Sequence, residues 1–253
     1  MTVLVAVKCE DGIIVGADGL STSAAGPQPL MQIPSAPKIK IIDEKIIIAG
    51  TGYVGLSQRF EKIVQSLSTQ GIIDCSSSDA MQNIAMHTNN NFQQSGTPRT
   101  AQNGWGFGAI VAAPFSQNPS LFELDVCSFQ PEEKEFPLHY VSMGSGQIIA
   151  DPFLAFVNRV IWKDKSPVLE KGLIGIYWVL SQTIKIAPGG VGGDIQIAVL
   201  RKDENGEWKA ALREHEQIQQ LEQHVSEIER QIGELPESVI NSAKSSPIPT
   251  LDN

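Results

Sequence analysis

Residues 46–60 read IIIAGTGYVGLSQRF, an apolar run that meets a glycine turn and then a helix-like stretch. Gly50, Gly52 and Gly55 spell G-x-G-x-x-G, and Asp74 lies about where a dinucleotide fold carries its ribose-binding carboxylate. Taken alone, the stretch reads as a pyrophosphate cradle. Its meaning depends on whether strands and helices alternate around it or come in blocks.

On the N-terminal side, 3–9 (VLVAVKC) and 12–18 (GIIVGAD) read as strands joined by a hairpin signal at Asp11-Gly12. A loop rich in Gly, Ser, Ala and Pro covers 19–36. A second strand pair follows, KIKII and KIIIAG, with the acidic turn Asp43-Glu44 between. On the C-terminal side come two successive helices. The first covers roughly 54–69, with Leu56, Phe60, Val64 and Leu67 at helical spacing; the second covers roughly 79–94, with Ser78 or Asp79 as its cap. Three strand-like runs follow with no helix between them: WGFGAIVAA, SLFELDVCSF and FPLHYVSMG. Helices over roughly 147–162 and 168–186, the loop APGGVGG, the strand DIQIAVL, and an Asn205-Gly206 hairpin into EWKAAL complete the order.

A dinucleotide fold requires a crossover helix between parallel strands. Segregated blocks predict an α+β protein instead, with antiparallel sheets and helix pairs packed outside them. The glycine run then serves some other site, with a dinucleotide-binding protein using Gly50, Gly52 and Gly55 as the remote alternative.

The bulk properties narrow the function. The chain has 253 residues, 42% of them apolar, enough for a substantial core. No apolar run approaches the ~18 residues of a membrane span, and MTVLVAVKCEDG does not read as a secretion signal. A net charge of −9 argues against nucleic acid as a partner. The three cysteines form no CxxC pair and the four histidines are scattered, so neither a metal nor another cofactor is expected. The expected location is cytoplasmic.

Thr2 follows the initiator methionine directly. Removal of Met1 would expose a residue with both a hydroxyl and a free α-amine, a nucleophile that contains its own base. The amine's reference pKa of ~7.7–8.0 is already near neutrality, and a lysine ammonium beside it would lower it further. The hairpin between the first two strands sets Asp18 opposite the start of strand one, near Thr2. Asp18 and the lysine of APKIKII would form an ion pair beside the hydroxyl.

These residues carry a resemblance. Thr2, K-x-E-D-G-I-I-V-G-A-D-G, the K-I-x-I-I strand, the A-G-T-G turn and the G-S-G of VSMGSGQ recur in order. They resemble the β-type subunits of the proteasome and its bacterial relative HslV, which are N-terminal-nucleophile hydrolases. The resemblance spans roughly residues 2–200 and implies a four-layer αββα sandwich of two antiparallel sheets flanked by helix pairs. It implies Thr2 as nucleophile, Asp18 and Lys38 as the tuning charge pair, and Ser145 hydrogen-bonded near the N-terminal amine. It also implies Gly50 as the backbone oxyanion donor, with Gly52 the alternative. Lys38 fits the family pattern better than Lys40. Peptide or unfolded-protein substrates and a homo-oligomeric ring follow from the same resemblance, and an ATP-dependent unfoldase by analogy alone. The pattern departs before the last strand, where the family carries an aspartate and a serine. Here Pro188 and Val191 stand instead, which keeps open a non-catalytic subunit of the same fold.

Residues 1–211 are expected to form the hydrolase domain. Ile218, Leu221, Val225, Ile228, Ile232 and Leu235 alternate spacings of three and four, predicting a heptad helix within 212–236. Its narrow stripe suggests contact with a neighbouring subunit. The Ser- and Pro-containing stretch 237–253 reads as a flexible tail.

Overall fold

The computed structural model describes residues 2–24, 29–33, 35–100, 104–187 and 190–234. The first hairpin consists of β1 (Leu4–Lys8) and β2 (Gly12–Ala17), paired from Leu4↔Ala17 to Lys8↔Ile13. Cys9 N–H donates to the Gly12 carbonyl at 2.8 Å, so the turn is Glu10-Asp11, one residue earlier than the Asp-Gly signal. After it come β3 (Ser21–Ala24) and β4 (Pro29–Ile33), which pair with each other alone. This hairpin lies inside the segment expected to be loop. Its composition hides it because pairing is a main-chain interaction, and the base is closed by Ala36 N–H donating to the Gly19 carbonyl at 2.8 Å.

β5 (Ile39–Ile42) and β6 (Ile46–Gly52) are joined by Asp43 and Glu44, both at positive φ (50° and 55°), the backbone that suits a tight hairpin. The helices α1 (Val54–Thr69) and α2 (Ser77–Gln94) follow, separated by a 3₁₀ turn at Ile72–Asp74. The cap of α2 is Ser76, whose hydroxyl accepts from Asp79 N–H at 3.2 Å, rather than Ser78 or Asp79. Next are β7 (Phe107–Phe115), β8 (Asn118–Leu124), the short β9 (Pro131–Glu133) and β10 (Tyr140–Met143). α3 (Gln147–Val157) ends in a π turn at Asn158–Trp162, and α4 (Leu169–Ile186) leads to β11 (Gln196–Lys202) and β12 (Trp208–Leu212).

One sheet runs β10-β1-β2-β11-β12 and the other β5-β6-β7-β8-β9, with every described pairing antiparallel. Strand alternation builds three apolar layers. Leu4, Ala6, Ile13 and Val15 meet Ile47, Ala49, Ile110 and Leu121 between the sheets. Val5, Val7 and Ile14 face α3 and α4, while Ile48, Phe107 and Val111 face α1 and α2. The result is an α+β, four-layer αββα sandwich. Gly50 and Gly52 therefore end an antiparallel strand, and Asp74 sits in the 3₁₀ turn, so the parallel βα junction of a dinucleotide fold is absent among the described residues.

Part of the expected heptad stripe packs within the chain. On α5 (His215–Gly233), Val225 is buried, and Ile218, Leu221 and Ile228 pack with it onto the α3–α4 layer. Trp178 Nε1–H and Gln182 Nε2–H of α4 donate to Glu229 Oε1 at 2.7 and 2.6 Å. Ile232 is 48% exposed, and Leu235, Pro236 and the expected tail lie outside the described residues. No helix among the described residues is long and apolar enough to cross a membrane.

Candidate active site

Thr2 is separated from β1 by Val3 and is buried. The β1–β2 register extends to Val3 and Asp18. Asp18 N–H donates to the Val3 carbonyl at 3.2 Å, and Val3 N–H donates to Asp18 Oδ1 at 2.8 Å. Asp18 is thereby locked one residue from Thr2, as the hairpin argument requires.

The Asp18 carboxylate is fully buried. Lys38 Nζ lies 2.6 Å from its Oδ1, and the lysine side chain is itself only 9% exposed. Gly192 N–H donates to Oδ2 at 3.1 Å. The carboxylate thus accepts from two main-chain amides and one ammonium, which is how a buried charge is made tolerable. Burial holds the Lys38 ammonium below the ordinary lysine pKa, although its hydrogen bond and charge pairing with Asp18 pull the other way. Of the two candidate lysines, Lys38 is the one that joins Asp18. Lys40 lies within β5.

The turn between β10 and α3 holds the main chain of Thr2. Thr2 N–H donates to Ser145 Oγ at 3.1 Å. The Thr2 carbonyl accepts from Gly146 N–H at 3.1 Å and, more weakly, from Ser145 Oγ at 3.4 Å. Gly144, at φ 94°, passes so close that a Cβ there would stand 2.4 Å from the Thr2 oxygen and 3.2 Å from Thr51 Oγ1. The end of β6 therefore reaches the same corner as Thr2, Asp18, Lys38 and Ser145.

Gly50 pairs with Ala109 across the ladder. A Cβ on it would press on the Phe107 ring at 2.8 Å and Ser57 Oγ at 2.9 Å, so only glycine fits between β6 and α1. Gly52, at φ 109°, turns the strand away over the Gly106 carbonyl. Gly55 is on α1, in open space.

Of the two residues at which the loop before β11 departs from the expected pattern, Pro188 lies outside the described residues. Val191 is buried in the helix-side core. Among its described residues, that loop gives Asp18 the Gly192 amide, which no reading of side-chain type reveals. Gln196 was also missed, although its place at the start of β11, paired with Ala17 beside Asp18, could have suggested it.

No curated protein matches the sequence. Residues 2–156, which run from Thr2 through both halves of the sandwich into α3, match the family model described as proteasome subunit. With more than half of its length matched and the sandwich to go with it, the chain belongs to the proteasome subunit family.

Proposed function

We propose that this chain is a threonine-type peptidase subunit that acts within a closed ring of like subunits, with Thr2 as its nucleophile after Met1 is removed. The observation that carries this reading is the Ser145 hydroxyl on the Thr2 nitrogen together with the buried Asp18–Lys38 pair on the adjacent Val3 amide. Once Met1 is gone, the Thr2 nitrogen beside Ser145 Oγ is an amine able to accept the proton from its own hydroxyl. The Lys38 ammonium keeps that amine neutral by like-charge repulsion, and Asp18 keeps the ammonium in the pocket.

Thr2 Oγ1 then attacks the scissile carbonyl carbon while its proton passes to the amine. The tetrahedral oxyanion collapses as the amine returns the proton to the leaving nitrogen, leaving an ester on Thr2. Water, deprotonated by the same amine, releases the acid product and regenerates the threonine. Gly50 is the favoured oxyanion donor. Pairing of β5 with β6 stops at Ile39↔Ala49, so beyond Ala49 one edge of β6 is released. Tyr53 N–H donates to Gly106, on the β7 side. Amides alternate along a strand, which turns the Gly50 N–H toward the released edge.

Peptides or unfolded proteins are the substrates this chemistry fits, in a cytoplasmic ring served by an ATP-dependent unfoldase, the last two by family analogy. Residues 1–211 are read as the hydrolase domain, with α5 (His215–Gly233) its helical appendage. Intact mass of the purified protein should show Met1 absent, and a vinyl sulfone or epoxyketone probe should add to Thr2. Thr2→Ala should abolish both probe capture and peptide turnover; activity surviving in that variant would sink the mechanism.

A non-catalytic subunit of the same fold is the second reading, favoured by Val191, which carries no hydrogen-bonding group at a position where the family resemblance expects support. A protein that retains Met1 and ignores threonine-directed probes would decide for it.

A further inference from the structure

Lys38 reaches Asp18 from a short segment, 35–38, that is neither helix nor strand. Pro37 has no N–H, so Ala36 and Lys38 supply the amides next to it. Ala36 N–H goes to the Gly19 carbonyl at 2.8 Å. The remaining amide, Lys38 N–H, donates to Gln196 Oε1 at 3.0 Å, while Gln196 Nε2–H donates to the Ala36 carbonyl at 2.7 Å. One carboxamide thus takes both main-chain groups that straddle Pro37, as a neighbouring strand would. The backbone also dictates the orientation of the amide: an N–H can only donate and a carbonyl only accept. Gln196 itself is anchored in β11, opposite Ala17 and next to Asp18. Ser35 Oγ adds a further tie to Asp194 Oδ2 at 2.6 Å.

We propose that Gln196 is a positioning residue for the reaction, a clamp that fixes the segment bearing Lys38 so that its ammonium stays buried against Asp18 and beside the Thr2 amine. The inference rests on the peptidase reading and adds a residue to it. No other common side chain of this length supplies a donor and an acceptor in one planar fork. Leucine supplies neither, and glutamate supplies only the acceptor, leaving the Ala36 carbonyl facing a carboxylate. Without the clamp the segment loosens, the ammonium moves toward water, and its repulsion of the Thr2 amine weakens. That amine then holds its proton to higher pH and is less available as base.

The test compares the assembled, Met1-processed wild type with Gln196→Leu on a fluorogenic peptide across pH. The expected result is kcat down by about tenfold, KM little changed, and the acidic limb of kcat/KM moved to higher pH, the size being that of a small misplacement of a catalytic group. A fall in kcat that merely tracks the folded fraction, with the limb unmoved, would overturn the clamp, as would wild-type kinetics. If Gln196→Leu does not assemble, Gln196→Glu decides by the same two readouts, because it keeps the shape and the acceptor for Lys38. A wild type that neither turns over peptide nor captures a threonine probe overturns the peptidase reading itself; an active wild type with unaltered variants overturns the clamp alone.

Discussion

The carbonyl oxygen of Thr2 lies 2.4 Å from the point where Gly144 would carry a Cβ. No real Cβ tolerates such a distance from a backbone oxygen, and the φ of 94° adds its own strain for any other residue. Gly144 is therefore what lets the turn bearing Ser145 close over the main chain of Thr2.

Gly144→Ala should push the turn and Thr2 apart. The strained backbone alone costs about 1–3 kcal/mol, and separation of Ser145 Oγ from the Thr2 nitrogen should cut threonine-probe capture at least as strongly as stability. Thermal melting and probe labelling, measured side by side, test this. Wild-type labelling in a folded Gly144→Ala protein would refute it.

The Asp18–Lys38 pair should behave as a buried unit. Removing one partner, by Asp18→Asn or Lys38→Met, strips a buried charge of its counterion, at a cost of about 3–5 kcal/mol. The double variant should be destabilised by less than the sum of the single changes, because neither charge is then left alone. Denaturant unfolding of the four proteins gives the coupling directly, and strict additivity would contradict it.

His139 predicts acid sensitivity. Its ring is buried between Phe136, Tyr140 and Trp162, with centroid distances of 6.0, 5.3 and 6.0 Å, and burial holds its pKa below the ordinary value. As the pH falls past ~6.5 the unfolded chain takes up a proton that the folded ring refuses. The unfolded state then binds more protons, and stability falls with pH. His139→Phe, which suits the aromatic cluster, should flatten the melting-temperature profile between about pH 7 and 5; an unchanged slope would show that other groups set it.

The dock of α5 onto α4 makes a spectroscopic prediction. Val225 is 3% exposed and Trp178 is bonded to Glu229 across the same contact. Val225→Asp should lift the helix, cost on the order of 2–4 kcal/mol for an unpaired buried carboxylate, and shift tryptophan emission to the red. Replacing Trp178 with Phe in that background should remove most of the shift.

Hydrophobic periodicity is a local property, and it made most of the architecture legible. The pattern of Leu56, Phe60, Val64 and Leu67 marks the helix observed at Val54–Thr69, and the two ends of the first hairpin bring Asp18 to Val3 by register alone. The β3–β4 hairpin was not legible, because Gly, Ser, Ala and Pro say nothing about main-chain pairing. The Gly192 amide and the Gln196 clamp were hidden for a related reason: the first is a backbone group, and the second matters only through what it touches.

From the sequence by itself follow the block order of strands and helices, the case against a dinucleotide fold, and the nearness of Thr2 to Asp18, since each depends on periodicity or on one tight turn. The family resemblance already favoured Lys38 and Ser145; tertiary structure alone brought Gly144 and Thr51 to the corner of Thr2, supplied Gly192 to Asp18, and packed part of the heptad stripe on its own α4. Those contacts join segments far apart along the chain. Whether two such segments meet is decided by how the sheets and helices pack, and no local pattern encodes that.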